Sequence, residues 1–307
     1  MSKRVWQPGR LHPATAFTWQ TEPIQGFPSS DPNYVDVSAL NDQHRPPIIA
    51  AIMAEEMQLR VHGDAALPTL IYLPGLHGDW TLIGGFRKAL GGRVRFVEVT
   101  YPRTLSWSLD DYAAGIETAL ERHGIDRGWL LGESYGSQPM WALVGRRKFA
   151  AHGVILAGGF VQHPMRWAVR LAETLTGRIS NALFVWLVFS YAKIARFRYH
   201  RSPEVLATID EFIIRRAEGL DRRAAQHRLH LIAGNDPRHI AGRTGLPVFG
   251  LSGWLDPIVP WPWVRRWLRK RCPTLRDYQV LRGADHNVLS TAPQPAAEQV
   301  LRWMNNS

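Results

Sequence analysis

Cysteine and long apolar runs are almost missing from this sequence. Cys272 is the single cysteine among 307 residues, which excludes an internal disulfide framework and a zinc site made of several thiolates. We therefore expect a cytoplasmic protein. The longest apolar run, residues 181–192, is about half the length that crosses a bilayer, and residues 1–20 contain no apolar stretch typical of a signal peptide.

Lysine is also scarce. The chain has 37 basic and 26 acidic residues, a formal net charge of +11, but only 5 of the basic residues are lysines. The arginines are scattered in ones and twos rather than clustered with aromatic residues, so nucleic acid is not an expected partner. A hydrophobic share of 45% with 13 tryptophans argues against extensive disorder and predicts a globular core.

The first 65 residues differ from the rest in composition and in hydrophobic periodicity. They are rich in proline and weakly periodic, which predicts an irregular N-terminal arm over residues 1–65, with a possible helix over Pro47–Gln58 and a short strand or two. From Pro68 onward, short apolar segments alternate with segments of helical periodicity. They begin with a strand predicted over Thr69–Leu73, a helix over Trp80–Leu90 and a helix over Ser108–His123 with Ser108 as its N-cap. This alternation predicts an α/β core over residues 66–159 and 246–307, with a mostly parallel sheet covered by helices on both faces.

Residues 160–245 interrupt the alternation. Their periodicity predicts consecutive helices, inserted between two strands as a cap or lid over the carboxyl ends of the sheet. The predicted helices span residues 165–175, 181–197, 203–218 and 221–232. This segment, which we call the helical insertion, contains 14 Lys and Arg but 7 Asp and Glu, so it carries about +7 of the net charge. An anionic substrate or an anionic membrane surface is therefore a possible partner of the insertion.

The clearest chemical motif is Gly132-Glu-Ser-Tyr-Gly136, a G-x-S-x-G sequence between a predicted strand and a predicted helix. A sharp strand-to-helix turn strains the backbone of Ser134, and the flanking glycines remove side chains that would clash. The hydroxyl of Ser134 then projects above the sheet, where it could act as a nucleophile.

A serine nucleophile needs a base, and the base needs a carboxylate that orients it. His286 follows the last predicted strand, and Asp256 follows the strand predicted over residues 247–251, so both are expected at the same edge of the sheet as Ser134. Asp285 is less suitable because adjacent residues of an extended loop point apart, and Asp236 is the runner-up. No cofactor or metal site is predicted, since the i,i+3 pair His227 and His230 has no third ligand in view.

These motifs, taken together, resemble those of the α/β-hydrolase superfamily from about Pro68 to the C-terminus. The resemblance implies the chain order Ser134, Asp256, His286 for a catalytic triad, and it places the oxyanion hole on the backbone N–H groups of Leu76 and Tyr135. The sequence departs from the family in two places: the loop Pro74-Gly-Leu-His-Gly leaves Leu76 and His77 as alternatives, and Ser137 stands where a second small glycine is usual. No part of the arm matches the usual leading antiparallel strands.

The predicted activity is that of a serine hydrolase that cleaves a carboxylic ester with an apolar acyl or alcohol group. Alternatives are an acyltransferase or thioesterase acting on a coenzyme A or carrier-bound substrate, and a membrane-surface lipase; a non-catalytic binding module is less favoured. Substrate contacts, or equally lid packing, are expected from aromatic residues of the insertion and from two loop residues: Trp167, Phe184, Trp186, Phe189, Tyr191, His77 and Trp254.

Overall fold

A seven-stranded sheet forms the centre of the part of the chain that the computed structural model describes, residues 56–306 apart from 201, 204, 208 and 210–218. The strands are β1 (Gln58–His62), β2 (Thr69–Leu73), β3 (Arg95–Thr100), β4 (Arg127–Glu133), β5 (Ala150–Ala157), β6 (Val248–Gly253) and β7 (Leu275–Leu281). All described residues belong to one compact unit, which runs from Pro46 to Ser307.

The strand order is β1-β3-β2-β4-β5-β6-β7. Only β1 pairs antiparallel, with β3, and every other neighbouring pair is parallel. The carboxyl ends of β2 to β7 therefore meet at one edge of the sheet, and the loops that follow these strands lie together there. In such sheets this edge is where ligand sites form.

Helices cover both faces of the sheet. In chain order they are α1 (Gly84–Leu90), α2 (Leu109–Arg122), α3 (Ser137–Arg146), α4 (Arg166–Arg178), α5 (Asn181–Arg198), α6 (Gly219–Gly234), α7 (Arg238–Arg243), α8 (Trp261–Arg271), α9 (Val288–Thr291) and α10 (Pro293–Asn305). Helices α2, α3 and α8 contribute to the core on one face, and α1, α9 and α10 contribute to the core on the other.

The burial of β2 shows why this segment forms a central strand. Ile71 and Leu73 pack into one core, whereas Leu70 and Tyr72 pack into the other, as the two-residue period of a strand requires. All four side chains are essentially inaccessible to solvent. Burial of a large apolar side chain stabilises the fold by about 1.5–3 kcal/mol, so a continuous apolar run is what a strand covered on both faces needs.

Local signals set the helix ends. Ser108 caps α2: its hydroxyl oxygen accepts from Asp111 N at 3.2 Å, and Asp111 in turn accepts from Ser108 N at 2.8 Å. Such a reciprocal cap contributes about 1 kcal/mol to the stability of a helix. Helix α1 begins at Gly84 rather than at the predicted Trp80, because Asp79 accepts a hydrogen bond from the N–H of Thr81 and holds the preceding residues in a turn.

The N-terminal prediction was wrong in one respect. The arm does contain a leading antiparallel strand, because β1 pairs along its whole length with β3, from Gln58 opposite Thr100 to His62 opposite Phe96. Its alternation was obscured by the short strand length and by partial exposure of all five residues. The helix predicted over Pro47–Gln58 falls almost entirely outside the described residues, as does most of the one predicted over residues 203–218.

The helical insertion follows β5 and precedes β6. Helices α4 and α6 pack against each other, and α5 begins three residues after α4 ends. The short helix α7 was not predicted. Among the described residues, none of the helices combines the length and apolar character needed to cross a membrane.

Candidate active site

Ser134, His286 and Asp256 meet at the carboxyl edge of the sheet. His286 Nδ1 lies 2.9 Å from Asp256 Oδ2, and His286 Nε2 lies 2.8 Å from Ser134 Oγ. A carboxylate can only accept, so Nδ1 carries the proton and donates it to Asp256, while Nε2 accepts from the serine hydroxyl. The three side chains thus form one chain of hydrogen bonds that runs from Ser134 through His286 to Asp256.

The backbone at Ser134 is strained. This residue follows β4 directly and has φ of +49°, in the left-handed region that non-glycine residues rarely adopt. A Cβ on Gly136 would lie 2.0 Å from the carbonyl oxygen of Leu73, so only glycine fits where the turn passes the end of β2. The short 3-10 turn Ser134–Gly136 then leads into α3.

Ser137, the departure from the usual glycine, has a structural role in the turn. Its side chain is fully buried, and its hydroxyl donates to Ser134 O at 2.6 Å while accepting from Phe160 N at 3.2 Å. The hydroxyl therefore joins the nucleophile turn to the chain that leaves β5. A glycine at this position would lack both bonds.

The acid and the base are each held by their own loop. Asp256 follows β6, and its second oxygen, Oδ1, accepts from the N–H groups of Ile258 and Val259, both at 2.9 Å. The side chain of Asp256 is completely inaccessible to solvent. His286 lies in the loop after β7 and passes close to Gly158, where a Cβ would be 2.7 Å from the carbonyl oxygen of His286.

The environment of His286 changes its pKa. Burial acts to lower the pKa of the imidazole, but the hydrogen bond to Asp256 and the charge of Asp256 outweigh it, with smaller contributions from Glu133 and Asp285. The pKa of His286 is therefore raised above its ordinary value. A base with a raised pKa accepts a proton from a hydroxyl more readily, provided that the solution pH keeps it neutral beforehand.

Two backbone N–H groups lie beside the serine. Leu76 is in a turn closed by a hydrogen bond from Gly78 N to Gly75 O, and a Cβ on Gly75 would be only 3.6 Å from Ser134 Cβ. No acceptor for the N–H of Leu76 is present in the described part of the chain. The N–H of Tyr135 begins the turn into α3, where backbone donors have no partner within the helix.

The alternative carboxylates have other partners. Asp285 accepts from the N–H of Asn287 at 3.0 Å and from the hydroxyl of Tyr199 at 3.0 Å. Asp236 pairs with Arg238, from which it accepts two side-chain hydrogen bonds at 2.7 and 2.5 Å. Neither carboxylate hydrogen-bonds the ring of His286, so Asp256 alone of the three is placed to orient it.

A cavity of about 780 Å³ opens above Ser134 and His286. The helical insertion supplies most of its apolar wall, and the loop after β2 supplies Leu76 and His77. Its lining from the insertion comprises Phe160, His163, Met165, Ala168, Val169, Ala172, Leu175, Thr176, Ile179, Phe184, Leu187, Val188, Ala192, Tyr199, Val205, Ile209, Leu229 and Ile232. Of the predicted contacts, His77 and Phe184 are in this wall.

The predicted tryptophan contacts were wrong. Trp167, Trp186 and Trp254 are outside the cavity wall and are 69%, 61% and 57% exposed. The physical reason is helical geometry: 100° per residue places Trp186 on the opposite side of α5 from Phe184 and Val188. Phe189 is also absent from the wall.

Sequence reasoning missed a buried acidic pair next to the serine. Tyr72 donates to Glu133 Oε2 at 2.5 Å, and burial raises the pKa of the Glu133 carboxyl. Within the part of the chain that the structure describes, the other oxygen of Glu133, Oε1, has no hydrogen-bond partner. His163 was missed as well: burial and the nearby His286 lower its pKa to about 4, so it stays neutral near pH 7. Glu133 could have been noticed as the second residue of the G-x-S-x-G motif.

His227 and His230, the pair with i,i+3 spacing, each have a hydrogen-bond partner in the protein. His227 Nε2 lies 2.8 Å from Trp107 O, and His230 Nδ1 lies 2.9 Å from Glu173 Oε1. Within the described residues, no three or more His, Cys, Asp or Glu side chains are grouped as metal ligands would be.

The sheet order and the strand-to-helix turn at Ser134 are those of an enzyme of the alpha/beta hydrolase type. The family model for the alpha/beta hydrolase fold matches residues 98–293, which is more than half of the chain. This protein therefore belongs to the alpha/beta hydrolase fold family. No protein with a curated description matches the sequence.

Solved structures with the same fold are distant in sequence. A thermophilic esterase from Thermogutta terrifontis is 16% identical, with a TM-score of 0.64 over 81% of this chain and 93% of that one. An enol-lactonase from Burkholderia xenovorans LB400 is 18% identical, with a TM-score of 0.65 over 81% and 96%. A bromoperoxidase from Bacillus anthracis is 14% identical, with a TM-score of 0.67 over 81% and 95%. At such identity the likeness establishes the fold, not the reaction.

Proposed function

We propose that this protein is a serine hydrolase that cleaves a carboxylic ester through an acyl-enzyme. The observation that carries the proposal is the position of His286, which bonds Ser134 Oγ at 2.8 Å through one nitrogen and Asp256 Oδ2 at 2.9 Å through the other. A serine hydroxyl becomes a nucleophile when a base at hydrogen-bond distance takes its proton. The strained turn presents this hydroxyl to the cavity.

The proposed reaction has two halves. Ser134 Oγ attacks the carbonyl carbon of the ester while His286 Nε2 takes its proton, and the resulting imidazolium is stabilised by Asp256. When the tetrahedral intermediate collapses, the carbon–oxygen bond of the ester breaks and His286 returns the proton to the leaving alcohol. Water, deprotonated by His286, then attacks the acyl-enzyme, and Ser134 leaves with the proton.

The oxyanion would be stabilised by the N–H groups of Leu76 and Tyr135. Both donors flank Ser134, one from the turn after β2 and one from the start of the turn into α3. Each such donor typically lowers the barrier by about 3 kcal/mol, because it points to the position where negative charge develops. Leu76 is preferred over His77 as the donor, because Leu76 directly follows Gly75, on which a Cβ would lie only 3.6 Å from Ser134 Cβ.

The cavity favours an apolar acyl or alcohol group. Its wall is dominated by aliphatic and aromatic side chains of the helical insertion, among them Val169, Phe184 and Val188. The solved structures of similar fold include an esterase and an enol-lactonase, which accords with an ester as substrate. This composition supports a neutral organic ester over an anionic one.

The proposal is tested with a fluorophosphonate probe and a panel of p-nitrophenyl esters and thioesters of graded chain length. We expect labelling of Ser134 and ester turnover, and we expect Ser134→Ala to abolish labelling and to reduce turnover at least about 10³-fold. Labelling that persists in Ser134→Ala would show that Ser134 is not the nucleophile. Turnover of coenzyme A thioesters alone would indicate the thioesterase, and product that forms only with an added alcohol would indicate an acyltransferase.

An exposed apolar surface on α4 and α5 favours a second candidate function, that of a membrane-surface lipase. The apolar residues exposed on these two helices are Trp167, Leu171, Leu175, Leu183, Trp186, Leu187, Ile194 and Phe197. The same helices carry six Arg and Lys and one acidic residue, Glu173. Aromatic residues mixed with cations are typical of helices that bind the interface of an anionic bilayer.

The lipase candidate is tested by sedimentation with vesicles. Binding to vesicles rich in phosphatidylglycerol, weakened by salt and by Phe197→Ser with Trp186→Ser, supports it. Lys148→Ser, an exposed cation outside the insertion, is the control. Absence of binding at low salt leaves a water-soluble ester as the substrate.

A further inference from the structure

Arg228 is the buried cation of the helical insertion. It projects from α6, is 1% exposed, and is among the largest fully buried side chains of the described residues. Its Nη1 donates to the carbonyl oxygen of Leu76 at 2.8 Å, and its Nη2 donates to that of Pro102 at 3.1 Å. The guanidinium therefore ties two loops of the sheet edge, those after β2 and β3, to a helix of the insertion.

No carboxylate neutralises this guanidinium within the described residues: its partners there are the two carbonyl oxygens and the face of the Tyr101 ring, 5.6 Å away. Arg228 Nε has no hydrogen-bond partner among the described residues either. Burial of an unpaired charge costs several kcal/mol, and an apolar side chain could fill the same volume without that cost. A purely structural explanation of Arg228 is therefore weak.

The carbonyl that Arg228 holds belongs to the residue that would donate to the oxyanion. Leu76 O and the N–H of Leu76 flank one Cα, so fixing the carbonyl restricts ψ of Leu76 and with it the direction of the turn. Gly78 allows the approach: a Cβ there would lie 2.3 Å from Arg228 Nη1. The turn is secured again by Tyr101 N, which donates to Gly78 O at 2.7 Å.

We propose that Arg228 is a positioning residue for the oxyanion hole: it fixes the turn of Leu76 and supplies unneutralised positive charge behind it. The helical insertion is then part of the machinery that stabilises the transition state, and not only the wall of the substrate cavity. This inference rests on the proposed serine hydrolase function. It requires that loss of Arg228 raise the free energy of the tetrahedral intermediate more than that of the bound ester.

The test compares Arg228→Gln and Arg228→Lys with Arg222→Gln. Arg222 is on the same helix, and it also donates to a backbone carbonyl, that of Thr176 at 2.6 Å, but it does not contact the loop of Leu76. For each variant, kcat and KM for a soluble p-nitrophenyl ester are normalised to the serine titrated by fluorophosphonate. The affinity for a trifluoromethyl ketone, which adds Ser134 Oγ to its carbonyl and so mimics the intermediate, is measured alongside.

Arg228→Gln should lower kcat about 10- to 100-fold with KM within threefold, and should weaken the trifluoromethyl ketone by the same factor as kcat/KM. Arg228→Lys should give values of kcat and ketone affinity between those of wild type and Arg228→Gln, because the lysine ammonium keeps the positive charge but cannot make both guanidinium hydrogen bonds. Arg222→Gln should change kcat less than threefold. An effect confined to KM, or equal in Arg228→Gln and Arg222→Gln, would overturn the proposal.

If Arg228→Gln does not fold, Arg228→Met provides the second variant, since its apolar side chain fills much of the same volume and leaves no buried polar group without a partner. The same loss of kcat and of ketone affinity is expected, and unchanged values would overturn the proposal. A wild-type protein that is neither labelled nor active would instead refute the serine hydrolase itself, so the two failures are distinguishable.

Discussion

The hydroxyl of Tyr199 donates a hydrogen bond of 3.0 Å to Oδ2 of Asp285, the residue directly before His286. Tyr199 follows the last residue of α5, so this bond joins the helical insertion to the loop that presents the imidazole. Asp285 also accepts from the N–H of Asn287 on the far side of His286. The position of the ring is therefore fixed partly by the insertion.

Tyr199→Phe should lower kcat/KM roughly three- to tenfold, because it removes a hydrogen bond to a charged acceptor in a partly buried site. Hydrogen exchange should become faster in the peptide that contains Asp285 and His286. Lys193→Gln, an exposed change on α5, is the control and should alter neither measurement. Equal activity in Tyr199→Phe and wild type would show that the loop holds His286 without this contact.

Exchange of Asp256 for Asn should be far more damaging than the same change at Asp236. Asn can present its amide N–H₂ to His286 Nδ1 and so stabilise the wrong tautomer, which in serine enzymes lowers kcat by about 10⁴. Within the described residues, the hydrogen bonds of the Asp236 side chain all come from Arg238, so Asp236→Asn should keep kcat within about threefold of wild type. Steady-state kinetics on one ester measures kcat for both variants. A greater loss of kcat in Asp236→Asn than in Asp256→Asn would identify Asp236 as the carboxylate that orients His286.

The pH dependence should follow the raised pKa of His286. The neutral imidazole is the base, so kcat/KM should fall with decreasing pH along a limb whose midpoint is above about 6.5, the ordinary value for histidine. His163 has a pKa of about 4 and is already neutral in this range, so His163→Gln should leave the midpoint in place. A midpoint below 6, or one that moves in His163→Gln, contradicts the assignment.

The raised pKa of His286 makes folding stability fall with increasing pH, whereas it makes kcat/KM rise. A raised pKa means that the folded state binds the proton of His286 more tightly than the unfolded state does, so this stabilisation is present below about pH 6.5 and is lost as the pH rises through the folded pKa. Urea unfolding of wild type and His286→Gln between pH 5 and 9 should show the difference in free energy shrinking with pH. A difference that grows with pH would contradict it.

Gly136→Ala should destabilise the fold, since its Cβ would lie 2.0 Å from Leu73 O. The backbone fixes the positions of both atoms, so no side-chain rotation relieves the clash. We expect a loss of at least about 3 kcal/mol, measured by urea unfolding. Gly234→Ala at the end of α6 meets nothing within 4 Å and should be neutral or slightly stabilising. Equal stability of the two variants would show that the turn can relax around a methyl group.

The strands of the core were predictable because burial on both faces leaves a local signature. Thr69–Leu73 forms the predicted strand residue for residue, and Ser108 caps α2 as its sequence indicates. The arm was predicted to hold a short strand or two, but the bounds and the pairing of β1 were not predicted, because an edge strand with partly exposed side chains has no apolar run to mark it. The tryptophans of α4 and α5 were assigned to the wrong face, since periodicity identifies the faces of a helix that is apolar all round only poorly.

By itself the sequence determined the α/β architecture, and it predicted the nucleophile turn and the site residues Ser134, Asp256 and His286, because each depends on a short motif at the end of a predictable strand. Tertiary structure alone decided which faces of the insertion line the cavity. It also placed Arg228 against Leu76, 152 residues away along the chain. Contacts over such separations depend on how helices pack on the sheet, and no local pattern of residues encodes that packing.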